Sequence, residues 1–110
     1  MRLIRAESSR ITASTLIFTG DCVLISLLVG VDGVNDPVVG IFNALDGADP
    51  TKRVVPSVTY DASALGLNGY MAAFVKRCRT GLFISIANIG SGEVIVDYRT
   101  MASLGIGIVA

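Results

Sequence analysis

One apolar stretch decides the fold of this chain: Cys22-Val23-Leu24-Ile25-Ser26-Leu27-Leu28-Val29-Gly30-Val31, bracketed by Asp21 and Asp32. A membrane-spanning helix needs about twenty such residues, so this shorter stretch predicts a buried strand instead. Its continuous apolar character predicts that both faces of the strand are covered. The following Asp32-Gly33-Val34-Asn35-Asp36-Pro37 predicts a turn, because Gly tolerates positive φ, Asp and Asn bond their own backbone, and Pro presets φ.

Further short runs separated by turn residues lie on both sides of this stretch. They predict strands at residues 11–18, 38–44, 54–60, 70–77, 82–87 and 93–99, with an edge strand or an arm at 2–6. Residues 70–77 also fit one helix face, but their neighbours are strands. Pro56 cannot donate to a ladder, which predicts an edge strand or a bulge there, and the turns at 79–81 and 88–92 predict successive hairpins. The pattern therefore predicts an all-β fold, a single antiparallel β-sandwich or jelly-roll-like domain of about seven to eight strands over residues 1–110.

The two ends of the chain are predicted to contact other subunits. The last ten residues carry no charge, and Leu104, Ile106 and Ile108 alternate with Gly105 and Gly107. They could form a last core strand, or an arm that fills the open sheet edge of a neighbour. Segments 1–10 and 100–110 are therefore candidate arms, with subunit contacts predicted at Leu3, Ile4, Leu104, Ile106, Ile108 and Val109.

Charge is scarce and balanced. Only 16% of the residues are charged, against about a quarter in an ordinary soluble domain, which favours a homo-oligomer that buries apolar surface, a trimer above all. Nine Lys and Arg residues balance nine Asp and Glu residues, which argues against a nucleic-acid partner. The N-terminus has no signal-peptide core, so Cys22 and Cys78 are expected to be buried thiols in a reducing cytoplasm, with a disulfide between them left as the alternative.

The residue types favour no catalytic chemistry. The chain has no His, so a Ser or Cys triad of the usual type is unavailable. Cys78 lies between Arg77 and Arg79, which could lower its pKa, but a half-buried thiol at a strand end is the stronger interpretation. We expect a protein that is not an enzyme and that uses no cofactor and no metal.

The acidic and basic groups have ordinary structural interpretations. The pairs Asp32 with Asp36 and Asp46 with Asp49 lie among turn residues, so turn formation explains them better than glycoside chemistry does. A calcium loop built from Asp32, Asn35 and Asp36 is a weak alternative. The basic groups at 52–53 and 76–79 are interpreted as a solvated rim or as ion pairs between subunits.

Several segments together resemble a known class of protein. They are Gly20-Asp21-Cys22, the run Val29-Gly30-Val31-Asp32-Gly33-Val34-Asn35-Asp36-Pro37, Val54-Val55-Pro56, Asp61-Ala62-Ser63-Ala64-Leu65-Gly66-Leu67-Asn68-Gly69, Thr80-Gly81-Leu82-Phe83-Ile84-Ser85-Ile86 and Glu93-Val94-Ile95-Val96-Asp97-Tyr98-Arg99. Over residues 11–99 the chain resembles small β-sandwich virion proteins of tailed bacteriophages and prophages. The shared residues belong to turns and core, so no catalytic residue is carried over.

The resemblance implies a structural virion protein assembled in the cytoplasm of a bacterial host. The resemblance does not choose among capsid decoration proteins, head fibres and tail-associated modules. A capsid decoration (cement) protein, which stabilises the phage head through multimeric contacts with itself and with a major capsid or other virion protein, is the first expectation because a compact subunit of 110 residues suits a surface cement. A module associated with the tail, neck or fibre is the next alternative. A carbohydrate- or receptor-binding module is another, in which Tyr60, Tyr70 or Tyr98 would supply an aromatic platform. Neither nucleic acid nor a membrane is expected as a partner.

Overall fold

The fold is an all-β sandwich of two antiparallel sheets, as the sequence predicted. A computed structural model describes residues 7–63 and 69–100 of the chain. Within them lie eight strands and one short 3-10 helix: β1 (Glu7–Ile11), β2 (Thr15–Thr19), β3 (Cys22–Gly30), β4 (Val38–Phe42), the helix Pro50–Lys52, β5 (Arg53–Thr59), β6 (Gly69–Cys78), β7 (Gly81–Ala87) and β8 (Glu93–Thr100). The strand orders are β1-β8-β3-β6 in one sheet and β2-β7-β4-β5 in the other. No helix among these residues is long and apolar enough to cross a membrane.

The chain passes from one sheet to the other at nearly every connection. Among the described strands, β4 and β5 are the only pair that follow each other in sequence and also lie side by side. This order is the jelly-roll arrangement, in which eight strands form two Greek keys. The hairpins predicted at residues 79–81 and 88–92 are therefore wrong, because β7 lies in a different sheet from β6 and β8. Turn residues report a reversal of the chain and do not select the strand that pairs.

The core lies between the sheets and follows strand alternation. In the first sheet, Val29 is opposite Val94 and Leu27 is opposite Val96. The second sheet supplies Val39 and Ile41 from β4, and Leu82 and Ile84 from β7. The buried cluster comprises Ile11, Cys22, Leu24, Leu27, Val29, Val39, Ile41, Cys78, Leu82, Ile84, Val94 and Val96.

The N-terminal part of the chain departs from the sequence prediction. Residues 11–18 form no single strand, since β1 ends at Ile11 and β2 begins at Thr15. Between them the Ser14 hydroxyl accepts a hydrogen bond of 2.8 Å from the backbone N–H of Ile86, which ties the break to β7. Glu7 to Arg10, predicted as part of an arm, belong to β1, where Arg10 pairs with Glu93. The predicted strand or arm at 2–6 lies outside the described residues.

The outer face of β3 corrects the prediction that both faces of this strand are covered. Leu28, which points away from the core between the buried Leu27 and Val29, is 41% exposed. The strand is central in its sheet, flanked by β8 and β6. Only its inner face packs against the second sheet, as is usual for an antiparallel sandwich. Within the described residues, the apolar run of β3 therefore leaves hydrophobic surface on the outside.

Candidate functional site

The most distinctive surface is the outer side of the β1-β8-β3-β6 sheet. Leu28 lies there beside Ile95 of β8 and Met71 of β6 in the strand register, and we call these three residues the outer apolar face. Met71 is 75% exposed, and Val75, further along β6, is 84% exposed. A shallow depression of about 250 Å³ adjoins them, lined by Leu28, Gly30, Gly69, Glu93 and Ile95. Large apolar side chains thus lie in water next to a hollow with room for another side chain.

Charged groups around the outer apolar face are paired within the chain. Arg10 forms an ion pair with Glu93, and the Ser26 hydroxyl donates to Asp97 at 2.9 Å. At the far end of the sheet, Arg77 donates two hydrogen bonds to Asp21, at 2.6 and 3.0 Å. These bonds hold the pKa of the Asp21 carboxyl below its ordinary value. The border of the face is therefore polar and only partly neutralised, since the buried Nε of Arg99 on β8 has no hydrogen-bond partner among the described residues.

The opposite sheet covers its own outward-pointing aromatic rings. Phe42 is only 3% exposed, although alternation with Ile41 points it away from the core. Its ring meets that of Phe83 edge-on at 6.2 Å, and the Arg53 guanidinium lies 5.6 Å from its centroid. The loop before β5 also approaches, since a Cβ at Gly47 would lie 3.1 Å from Phe83. This sheet still leaves Leu16 and Val58 exposed, at 38% and 42%, whereas Met71 and Val75 of the β1-β8-β3-β6 sheet are 75% and 84% exposed.

A second apolar feature is a cleft between the sheets on the β5 and β6 side. Its volume is about 350 Å³, and it is lined by Leu27, Val39, Ile41, Val55, Pro56, Val58, Tyr60 and Ala72. Pro56 lies on β5, an edge strand of its sheet, as the sequence predicted. The lining carries no charged side chain and one hydroxyl, that of Tyr60. The cleft suits apolar groups and offers no chemistry for a reaction.

The three tyrosines proposed for carbohydrate binding are half-buried. The rings of Tyr60 and Tyr70 pack together at 5.1 Å, and the Tyr70 hydroxyl donates to the Asp61 carbonyl at 2.5 Å. Burial raises the pKa of Tyr60. Tyr98 lies 6.0 Å from the ring of Phe18. Each ring therefore packs against one other ring of the chain and remains partly exposed, and the carbohydrate-binding alternative stays a prediction.

Asp32 ties two loops together. Its Oδ1 accepts from the backbone N–H groups of Val34 and Asn35 at 2.9 and 2.8 Å, and its Oδ2 accepts from the Asn35 amide and from the Ser91 backbone at 2.8 and 3.0 Å. These four donors, those of Asn35 foremost, hold the pKa of Asp32 well below its ordinary value. The turn interpretation is confirmed, and both oxygens that a calcium ion would need are already engaged.

The remaining carboxylates also serve loops. Asp36 accepts from the Ala62 backbone at 2.8 Å, which connects the loop after β3 to the loop after β5. Asp46 accepts from Ala48, and Asp49 accepts from the backbone and hydroxyl of Thr51. Over residues 7–63 and 69–100, no three acidic or Cys side chains gather in a group that could hold a metal ion.

The two cysteines lie directly opposite each other on β3 and β6. Both side chains are fully buried and free. Burial raises the pKa of Cys22 to about 12, with a further contribution from Cys78, and raises that of Cys78 to about 11. The predicted role as small buried hydrophobes is confirmed, and the expected influence of Arg77 and Arg79 on Cys78 is outweighed by burial.

The structure does not test the residues that were predicted to contact other subunits. Leu3, Ile4, Leu104, Ile106, Ile108 and Val109 all lie outside the described residues. Sequence reasoning instead missed Leu28, Met71 and Val75. The available signal was the apolar character of β3 at both alternating positions, which would need a partner on each side of the sheet.

No protein-family model, no curated protein and no solved structure matches this chain. The architecture therefore defines its class: a jelly-roll β-sandwich whose β1-β8-β3-β6 sheet carries the most exposed apolar strand residues among those described, Met71 and Val75.

Proposed function

We propose that this protein is a structural subunit of a tailed-phage particle, acting as a multimeric capsid decoration (cement) protein. The observation that carries the proposal is the outer apolar face, where Leu28 and Met71 lie exposed beside a hollow. A contiguous apolar patch with a polar border is typical of surfaces that bind another protein. The resemblance to phage β-sandwich proteins supports the choice of partner.

Burial of this face supplies the driving force for assembly. Apolar surface removed from water stabilises a contact by about 25 cal/mol per Å², and a stable interface buries about 800 Å² on each partner. The Arg10–Glu93 and Arg77–Asp21 ion pairs neutralise charge at the border. A charge that is already paired loses less on burial at a contact than an unpaired charge does, so these two pairs lower the cost of covering this part of the border.

The fold suits a static role. The strands that present the outer apolar face also carry the buried core residues Leu27, Val29, Val94 and Val96, so the face is held by the core itself. Jelly rolls occur in viral capsid proteins and in lectins, and the fold alone selects neither. Many copies on one shell add avidity, so a modest contact per subunit is enough to stabilise the head.

The proposal is tested in the phage or prophage that encodes the chain. Particles that lack the protein should lose infectivity faster on heating, and added purified protein should restore the wild-type rate. The variant Leu28→Asp should fail to restore it, whereas Val34→Asp, placed in the exposed loop after β3, should succeed. Particles that are equally heat-stable without the protein, and that do not bind it, would refute a cement role. Binding of labelled protein to tails or necks alone would move the assignment to a tail- or neck-associated module.

A further inference from the structure

The four edge strands of the sandwich differ in how open they are to pairing. β1 and β2 have five residues each, and the register of β2 shifts between Leu16 and Phe18. β5 contains Pro56 and pairs with β4 through two register shifts. Short strands, prolines and bulges are the features by which proteins close an edge to further pairing. Three of the four edges in the described residues are closed in this way.

β6 is the least closed of the four edges, although its register with β3 shifts once between Ala73 and Lys76 and its C-terminal end carries Lys76 and Arg77. It is the longest described strand, with ten residues, and among the described strands it pairs with β3 alone. Residues Gly69 to Ala73 are in regular register with β3, opposite Gly30 to Ser26. The first seven residues, Gly69-Tyr70-Met71-Ala72-Ala73-Phe74-Val75, carry no charge, and Met71 and Val75 are exposed. A long uncharged edge with exposed apolar side chains is a template for pairing with another chain.

We propose that β6 pairs antiparallel with β6 of a second copy, about a two-fold axis at Ala73, so that two sheets join into one eight-stranded sheet. The proposal rests on the multimeric role proposed above and names one of its contacts. A second copy is the fitting partner, because an antiparallel pair of identical strands is self-complementary and closes on itself. The pairing would also remove the open edge from solvent.

The charges on β6 are compatible with this register. With the axis at Ala73, Met71 lies opposite Val75 of the second copy, so the two exposed apolar positions meet. Lys76 lies opposite Tyr70, and Arg77 lies opposite Gly69. No charged residue therefore faces a like charge, which would destabilise a cross-strand pair. Arg77 also keeps its ion pair with Asp21 at the end of the sheet.

A two-fold contact gives a dimer when it acts alone. The solution state expected from this edge is accordingly a dimer, in place of the trimer that composition and resemblance favoured. A trimeric contact on the phage head would have to use another surface, such as the outer apolar face.

The test compares two valines of nearly equal exposure. Val75 on β6 is 84% exposed, and Val34 in the loop after β3 is 82% exposed. The solution mass of the full chain, measured by light scattering or sedimentation over a dilution series, should be twice the 11.5 kDa of one chain. Val75→Lys should raise the dissociation constant about tenfold, whereas Val34→Lys should leave it within about twofold. Circular dichroism checks that both variants fold.

Hydrogen exchange locates the contact independently of any variant. In the wild-type protein, backbone amides of β6 should become more protected as concentration rises, while those of the β1 edge should not change. Met71→Lys serves as a second variant with the same expected loss of the dimer. Three results would each overturn the proposal. They are a monomer at all concentrations, a dimer that neither Val75→Lys nor Met71→Lys weakens, and β6 amides whose exchange does not depend on protein concentration.

Failure of this proposal can be told apart from failure of the proposed function. A monomer that still restores heat stability to particles would remove the β6 contact and leave the cement role intact. A β6 dimer that never binds particles would refute the cement role and leave the β6 contact intact.

Discussion

At the scale of single residues, the Asp32 carboxylate connects two loops that are far apart in sequence. It accepts hydrogen bonds from its own turn and from Ser91, which lies 59 residues away in sequence. The loops after β3 and β7 are thereby fixed at one end of the sandwich. Gly90 makes room for this contact, because a Cβ there would meet the Asp32 carboxylate and the Asn35 amide.

Replacement of Asp32 should therefore reduce stability in a pH-dependent way. The folded-state pKa of Asp32 is lowered by its four donors, so its contribution is complete above the unfolded-state pKa of about 3.9 and is lost as the pH falls towards the folded-state value. We expect Asp32→Ala to lower the thermal midpoint at pH 7, and the difference from wild type to shrink below about pH 4. Asp46→Ala, which removes one bond to Ala48 within its own loop, is the matched control with a smaller effect. A difference that does not vary with pH would contradict the role given to the carboxylate.

At the scale of elements, β3 has two adjacent leucines on opposite faces, one in the core and one on the surface. Leu27 points inward and is 1% exposed, whereas Leu28 points outward and is 41% exposed. Leu27→Ala should lower the free energy of unfolding by about 2–5 kcal/mol, because it leaves a cavity between the sheets. Leu28→Ala should cost less than about 1 kcal/mol in the isolated protein. Urea denaturation measures both, and equal costs would show that the strand faces are wrongly assigned.

The sequence predicted those strands whose formation depends on residues close together in the chain. The short apolar runs predicted strands at residues 38–44 and 82–87, and the structure has β4 (Val38–Phe42) and β7 (Gly81–Ala87) there. The predicted single strand over residues 11–18 is wrong, because the strand breaks before Thr15, where the Ser14 hydroxyl accepts a hydrogen bond from the backbone N–H of Ile86, 72 residues away.

The exposed positions could not be found in the same way. Met71 and Val75 are exposed because β6 lies at an edge, and strand order is a property of the assembled sheets. The turn at residues 79–81 looks the same in sequence whether it joins strands of one sheet or of two. The jelly-roll order therefore required the structure, and so did the location of the uncovered face.

At the scale of the whole molecule, the two sheets of the sandwich differ in how far their outward-pointing apolar side chains are exposed. Phe42 and Phe83 are packed under their own loop, while Leu28, Met71 and Val75 face outward. In the proposed assembly, a neighbouring subunit would cover the sheet whose apolar side chains are more exposed. That is the physical basis for the proposed role as a repeated subunit of a particle.

The most direct test of this role is the copy number of the chain in purified particles, measured by quantitative mass spectrometry. Particles should be purified from the phage or induced prophage that encodes it. A cement protein predicts many copies per particle, in a constant ratio to the major capsid protein that persists through density-gradient purification. A chain that is absent from such particles, or that washes away from them, would contradict the central claim that it is a structural subunit of the virion.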